Sequence, residues 1–317
     1  MFWSIGSLSS SLRKWASEYQ ITQSALKSLI SVLNTHLNAD LPKDPRTLMK
    51  TPRTVEILDL QDNGKYWHHG LENGLRNRLK HITTDMGLSI NINIDGLPIY
   101  KSSPNHFWPI LANIHELPYV KPIVIGIYYG SAKPKDAGEF LSPFVKELLS
   151  ILESGVFIDE HKISLKVRAF ICDTPARAFI KCVTNFNGKF GCLKCTTKGR
   201  YSHETRTMTF PEVQADLRTD QQFREFKYPE HQRAISPLTE LPIDMIEDVI
   251  VADSLHLLEL GIMRKLMNSW RTGAMTKRAK WSVHGKQQFS AELVALRFPA
   301  EIHRRMRSLE HMSLWKG

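Results

Sequence analysis

The amino-acid sequence predicts an α/β fold built on a mixed sheet, and three observations carry that prediction. Residues 88–95, LSININID, alternate Leu88, Ile90, Ile92 and Ile94 with Ser and Asn, the pattern of a half-buried strand. Two apolar runs of strand length follow, FWPILANI (107–114) and KPIVIGIYYG (121–130). AGEFLSPFVKELLSIL (137–152) then spaces its apolar residues as a helix does, and LKVRAFICD (165–173) returns to a strand that ends in a carboxylate. TPARAFIKCV (174–183) opens with a threonine and a proline suited to a helix start. Three strands, a helix, a strand ending in an acid and a second helix are the order of a sheet with helices laid against it.

Ahead of that core, SLRKWASEY and QSALKSLISVLNTH read as two helices within residues 10–36, with Thr22 placed to cap the second. The short break between them fits a helix-turn-helix, and fits any helical hairpin better. LPKDPRTLMKTPRT (41–54) has three prolines among cationic residues and reads as a linker. The resulting division is a helical region and linker over 1–55, the α/β core over 56–200, and a basic, mainly helical region over 201–317.

A chain of 317 residues is long enough for two or three domains. No apolar run reaches the roughly 18 residues of a membrane span. The N-terminus has no long apolar stretch of the kind a signal peptide needs, so an intracellular, reducing setting is expected. The net charge of +10 is uneven, because residues 261–317 hold twelve Lys and Arg against three acidic residues. Clustered cations favour a polyanion such as nucleic acid, with a solvated basic helix face as the equal alternative.

Two carboxylates stand out. Asp95 ends the first strand and Asp173 ends the fourth. If those strands lie side by side and parallel, both emerge at one edge of the sheet, where a pair of hard oxygen donors holds Mg²⁺ or Mn²⁺ and leaves room for water and phosphate. The competing reading is that each aspartate only caps a turn or a helix. Cys192 and Cys195, in GCLKC, have the spacing of half a tetrahedral zinc site, and His203, His231 and His256 are the in-chain candidates for the rest. Cys172 and Cys182 fall within apolar periodicity and read as core residues. Asp253-Ser-Leu-His256 opens a helical run, with Asp253 as its N-cap and a metal or DNA contact at His256 as the lesser reading.

NIDGLPIYKSS, FICDTPARAFI, GCLKC, MTFPE and DSLHLLELGIMRKL, in that order, resemble a eukaryotic DDE transposase of the CACTA (En/Spm, Tnp2-like) type. The resemblance covers most of the chain from about Leu88, and the LRKW, ITQSAL and LPKDPRTLMKTPR stretches also look like those proteins. It implies an RNase H-like core, with Asp95 and Asp173 as the first and second catalytic aspartates on Mg²⁺ or Mn²⁺. It further implies a structural Zn²⁺ on Cys192 and Cys195, joined by two histidines far downstream, and it matches Asp253-x-x-His256 to a family element. The chemistry implied is metal-dependent phosphodiester hydrolysis at transposon ends in double-stranded DNA, then strand transfer into target DNA. A nuclear location follows from that substrate, and a homo-oligomer is compatible with it.

The resemblance also requires a third carboxylate, a Glu after a long helical insertion. Glu259, Glu292, Glu301 and Glu310 lie in no segment of that kind, so the chain reads as a transposase truncated before its catalytic Glu, with weak or absent cleavage. The alternatives are a non-catalytic, domesticated DNA- or chromatin-binding protein, and a generic RNase H-like nuclease using an unidentified acid.

Overall fold

The computed structural model describes residues 7–80, 82–100, 103–249, 253–298 and 305–314. The chain divides into two compact units, Met1–Glu56 and Ile57–Gly317. In the first, α1 (Leu8–Glu18) and α2 (Gln23–Leu37) each begin at a hydroxyl cap. Ser7 accepts the N–H of Ser10, and Thr22 accepts that of Ala25. Ala16, Leu26 and Ile30 meet Leu41 and Leu48 in a small core. The proline-rich stretch expected as a linker is therefore folded over its first half. The Asn34 side chain holds both the N–H and the C=O of Leu41 at 2.8 Å, and Asp44 caps a single turn, α3 (Pro45–Leu48).

The second unit opens with β1 (Leu58–Leu60), β2 (Gly64–His68) and α4 (Leu71–Arg78). Next come β3 (Met86–Ile94), β4 (Leu97–Pro98), β5 (His106–Ile114) and β6 (Ile123–Gly130), and then the 18-residue helix α5 (Ala137–Ser154). β7 (Val156–Ile158), β8 (His161–Phe170) and α6 (Thr174–Ile180) complete the predicted order. The strands form one curled mixed sheet in the order β1-β2-β6-β5-β3-β8-β7, with β4 on β5. All neighbouring strands run antiparallel except β3 and β8, which are parallel. The mixed α/β class read from the sequence is what the molecule has.

A parallel pair needs a crossover connection, and α5 supplies it. Phe140, Leu141, Phe144, Val145, Leu148 and Ile151 recur at helical spacing and are all buried. Phe140 stands edge-on to Tyr66 and Tyr128, with ring centroids 5.9 and 6.1 Å away, and Phe144 meets Phe170 the same way. Tyr66 lies across β6 only because residue 126 is glycine. A β-carbon there would come within 2.2 Å of the Tyr66 hydroxyl. The α5 carboxylate Glu147 accepts the N–H groups of Leu71 and Glu72 at the start of α4, and pairs with His68, so the helix is stapled to the sheet edge.

Beyond α6 the chain forms a two-stranded hairpin, β9 (Arg200–Ser202) and β10 (Thr207–Thr209), and a short helix α7 (Asp220–Arg224). Phe223, Tyr228, Leu238, Met245 and Val249 belong to the same hydrophobic core as the sheet. Cations hold this segment through its carbonyls. Lys181, with no exposed surface, donates to Met245 O at 2.5 Å; Lys194 donates to Ile246 O, and Arg224 to the carbonyls of Thr239, Leu241 and Ile243. Val249 then pairs in parallel with Phe170 on the free edge of β8. The remaining described elements are a wider-wound helix at Leu255–Met263 that runs into α8 (Arg264–Thr272), and α9 (Val283–Ala295). Among the described residues no helix is long and apolar enough to cross a membrane.

Burial pushes the Lys181 ammonium down to about 7, with the nearby cations Arg177, Lys194 and Arg218 adding to it. A lysine that titrates lower folded than unfolded contributes stability as pH rises from about 7 toward its unfolded value near 10.4. Chemical denaturation is therefore expected to show wild-type stability climbing over that interval relative to Lys181→Met, whose curve lacks the rise.

Candidate functional site

The parallel register of β3 and β8 sets Ile92 opposite Phe170, so both strands finish at one edge of the sheet. Asp95 is the first residue past β3 and accepts the N–H of Gly96 at 2.7 Å through one oxygen. Asp173 is the N-cap of α6 and accepts the N–H of Ala176 at 2.8 Å through one oxygen. The capping role read for Asp173 is therefore what the structure has. The strand ends are tied together. Ile171 N–H donates to Ile92 O at 2.8 Å, and the Asn93 side chain donates to Ile171 O at 2.7 Å.

A third carboxylate enters from the neighbouring edge. Phe170 N–H donates to Asp248 O at 2.8 Å beside the parallel Val249 pairing, so residues 248–249 run in the direction of β8. Asp253 accepts the N–H of Leu255 and holds the Nδ1 of His256. Charges from this group act on Asp95 and His256. Burial raises the Asp95 carboxyl above its ordinary range, the charge of Asp173 raises it further, and Asp253 adds to both while His256 opposes them. His256 is raised mainly by its bond to Asp253, with Asp173 and Asp95 adding attraction. The helix-cap reading of Asp253 holds, and the same residue shares the electrostatic environment of the two strand-end aspartates.

Beneath the edge lies Arg177, 3% exposed, which the sequence reading passed over. Its guanidinium donates to Cys172 O and to the Thr174 hydroxyl, and burial lowers its pKa while the Cys172, Asp173 and Asp253 charges oppose that. Cys172 is a buried core thiol, pushed by burial up to about 12, and Cys182, half-buried, is pushed to about 11. Both agree with a packing role.

Cys192 and Cys195 stand on the loop after α6 with their sulfurs 3.4 Å apart. A paired segment fixes the loop: Cys195 bridges Leu217, Arg218 N–H donates to Lys194 O, and Arg218 Nε donates to Cys192 O. Burial raises Cys192, but N–H bonds from Cys195 and Lys194 outweigh it, and Cys192 is the more acidic thiol of the pair. His231 is buried, places Nδ1 at 2.7 Å from Phe190 O and leaves Nε2 without a hydrogen-bond partner among the described residues. Its pKa falls to about 4, through burial first and the Arg218 charge second. His203 is exposed against the Tyr201 ring, and His256 sits with the aspartates. Among the described residues, no group of three or more His, Cys, Asp or Glu side chains is arranged to hold a metal ion.

The donor chemistry at the sheet edge nevertheless suits a divalent cation. Asp95, raised by burial first and by the Asp173 charge second, and Asp173 offer hard oxygen donors of the type that Mg²⁺ or Mn²⁺ takes.

Replacing Asp173 by Asn is expected to lower two pKa values at once. Asp95 loses a repelling charge and falls toward its ordinary value, and His256 loses an attracting charge and also falls. NMR titration of the carboxyl and imidazole resonances reads both, and an unmoved Asp95 contradicts the shared site.

Compared with known proteins, the chain matches no protein-family model and no curated protein.

Proposed function

We propose that this chain is a transposase-like protein of the DDE, CACTA type, with an RNase H-like sheet whose Asp95 and Asp173 hold Mg²⁺ or Mn²⁺ against the phosphodiester backbone of double-stranded DNA. The observation that supports this most is the placement of both aspartates at the ends of adjacent parallel strands, at one edge of the sheet. The reading takes its family from the order of sequence motifs and its chemistry from the carboxylates. When bound there, the metal supplies charge neutralisation and activation of the attacking oxygen. Asp95 and Asp173 supply the oxygen ligands, Asn93 and Arg177 position the strand ends that carry them, and the exposed cations of 261–286 contact phosphates without reading bases.

Asp253 adds a third carboxylate charge at Asp95, and among the described residues no Glu joins this group. Cleavage is therefore expected to be slow. In the same reading, Cys192 and Cys195 are one half of a structural zinc clip, and the protein works in the nucleus.

A second reading is a non-catalytic, domesticated DNA-binding protein. It rests on the twelve Lys and Arg against three acidic residues in 261–317, and needs no metal. Nicking of supercoiled duplex DNA in Mn²⁺ separates the two. Slow nicking that disappears in Asp95→Asn/Asp173→Asn is the expected result. No nicking by either protein, with salt-sensitive DNA binding retained by both, assigns the second reading.

A further inference from the structure

Side chains along β3 and its continuation into β4 alternate between the two faces of the sheet. Ile94 is buried, and Gly96 stands against the Trp108 ring, where a β-carbon would come within 3.0 Å. Asp95 and Leu97 are the intervening positions, so the alternation assigns both to the opposite face. Leu97 pairs with Phe107 on β5, Phe107 with Tyr129 on β6, and Tyr129 with Lys65 on β2. Residues directly opposed across a pair share a face, so one row crosses four strands, beginning two positions from Asp95. With strands about 4.8 Å apart, the row runs about 10 Å from Leu97 to Tyr129.

This face is open. Trp108 and Tyr128, the neighbours in sequence, turn the other way and are buried against Phe179 and Phe140. Leu97, Phe107 and Tyr129 are 50%, 39% and 37% exposed, although β5 and β6 lie inside the sheet and not at its edge. The Phe107 and Tyr129 ring centroids are 5.8 Å apart with their planes at 55°, so neither ring stacks flat on the other. Asn105 Nδ2 donates to the Tyr129 hydroxyl at 2.8 Å and fixes that ring. Lys65 closes the row in an exposed ion pair with Asp59, a weak bond that a phosphate can replace.

We propose that this row is a nucleobase-stacking platform, in which Phe107 and Tyr129 receive unpaired bases of a DNA strand and Leu97 packs against the base nearest Asp95. Aromatic rings with a cation beside them suit unpaired bases of any sequence, since every base has a ring face and every nucleotide a phosphate. The row is continuous with the carboxylate edge, so whatever covers it also lies beside Asp95. The platform rests on the DNA-processing function proposed above and adds to it the form of the substrate, a strand unpaired next to the phosphodiester at the aspartates.

Fluorescence anisotropy of labelled DNA with the full chain in EDTA tests this without any metal-dependent step. The probes are oligothymidylate and a fully paired duplex of the same length. Phe107→Leu/Tyr129→Leu removes both rings and keeps apolar bulk, with circular dichroism as the control for folding, and the two single variants serve if the double variant fails that control. The variant is expected to lose about tenfold or more in affinity for oligothymidylate and to keep its affinity for the duplex. A 2-aminopurine base within the single strand is expected to be quenched by wild type and by Phe107→Tyr, which keeps the ring, and not by the leucine variant. Equal affinity of wild type and leucine variant for oligothymidylate overturns the platform, as does an equal loss on both probes. Self-association of the chain without DNA that the leucine variant abolishes also overturns it, and assigns the face to a second copy. Ring-dependent binding in EDTA beside a failure of Mn²⁺-dependent nicking supports the platform and counts against the metal site alone.

Discussion

The parallel pairing of β3 with β8 is the constraint on which the rest of the second unit depends. Antiparallel neighbours can be joined by a hairpin, but a parallel neighbour requires the chain to return to the starting edge before it pairs. β5 and β6 carry the chain outward across the sheet, and α5 brings it back over the buried face. The pairing also fixes direction. Two strands that run the same way end on the same side, so residues just past their ends meet whatever the intervening sequence does. Asp95 and Asp173 are 78 positions apart in the chain and share an electrostatic environment because of that one register. The cost is visible at Asp95, which is half-buried beside a like charge.

The other side of β8 is organised by buried cations. Residues 236–248 form little regular structure, so their carbonyls need donors from elsewhere. Lys181, Lys194 and Arg224 provide them. This is how an irregular segment is held in place for Val249 to pair with β8. Lys181 is desolvated within the core to do so, beside the Phe223 ring at 5.4 Å. Removal of the ammonium leaves a buried carbonyl unsatisfied, and its retention leaves a strained titration.

Much of this was legible in the residues. The alternation of 88–95, the helical spacing of 137–152 and the Thr-Pro start at 174 are local signals, and the elements formed where those signals lie. The two aspartates stood out as carboxylates at the ends of apolar runs, and the capping use open to such a residue is the one that Asp173 has. The parallel register that joins them is not written locally; it appeared only as a condition on the reading. Residues 41–48 read as a linker because prolines dominate the pattern, yet Leu41 and Leu48 are apolar enough to close a small core once Asn34 captures the backbone. Arg177 and Lys181 were invisible as structural residues, because burial of a cation against carbonyls leaves no periodicity. The Cys192–Cys195 pair was found by spacing, and the folded loop gives the two thiols a paired, asymmetric environment.

The central claim is that the edge formed by β3 and β8 binds one divalent cation through both aspartates. The direct measurement is Mn²⁺ titration by electron paramagnetic resonance, which counts free ion, on wild type and on Asp95→Asn and Asp173→Asn singly, with circular dichroism as the control for folding. The account predicts saturable binding by wild type that either substitution removes while the fold is kept. Equal binding by all three proteins, or none by wild type, contradicts it.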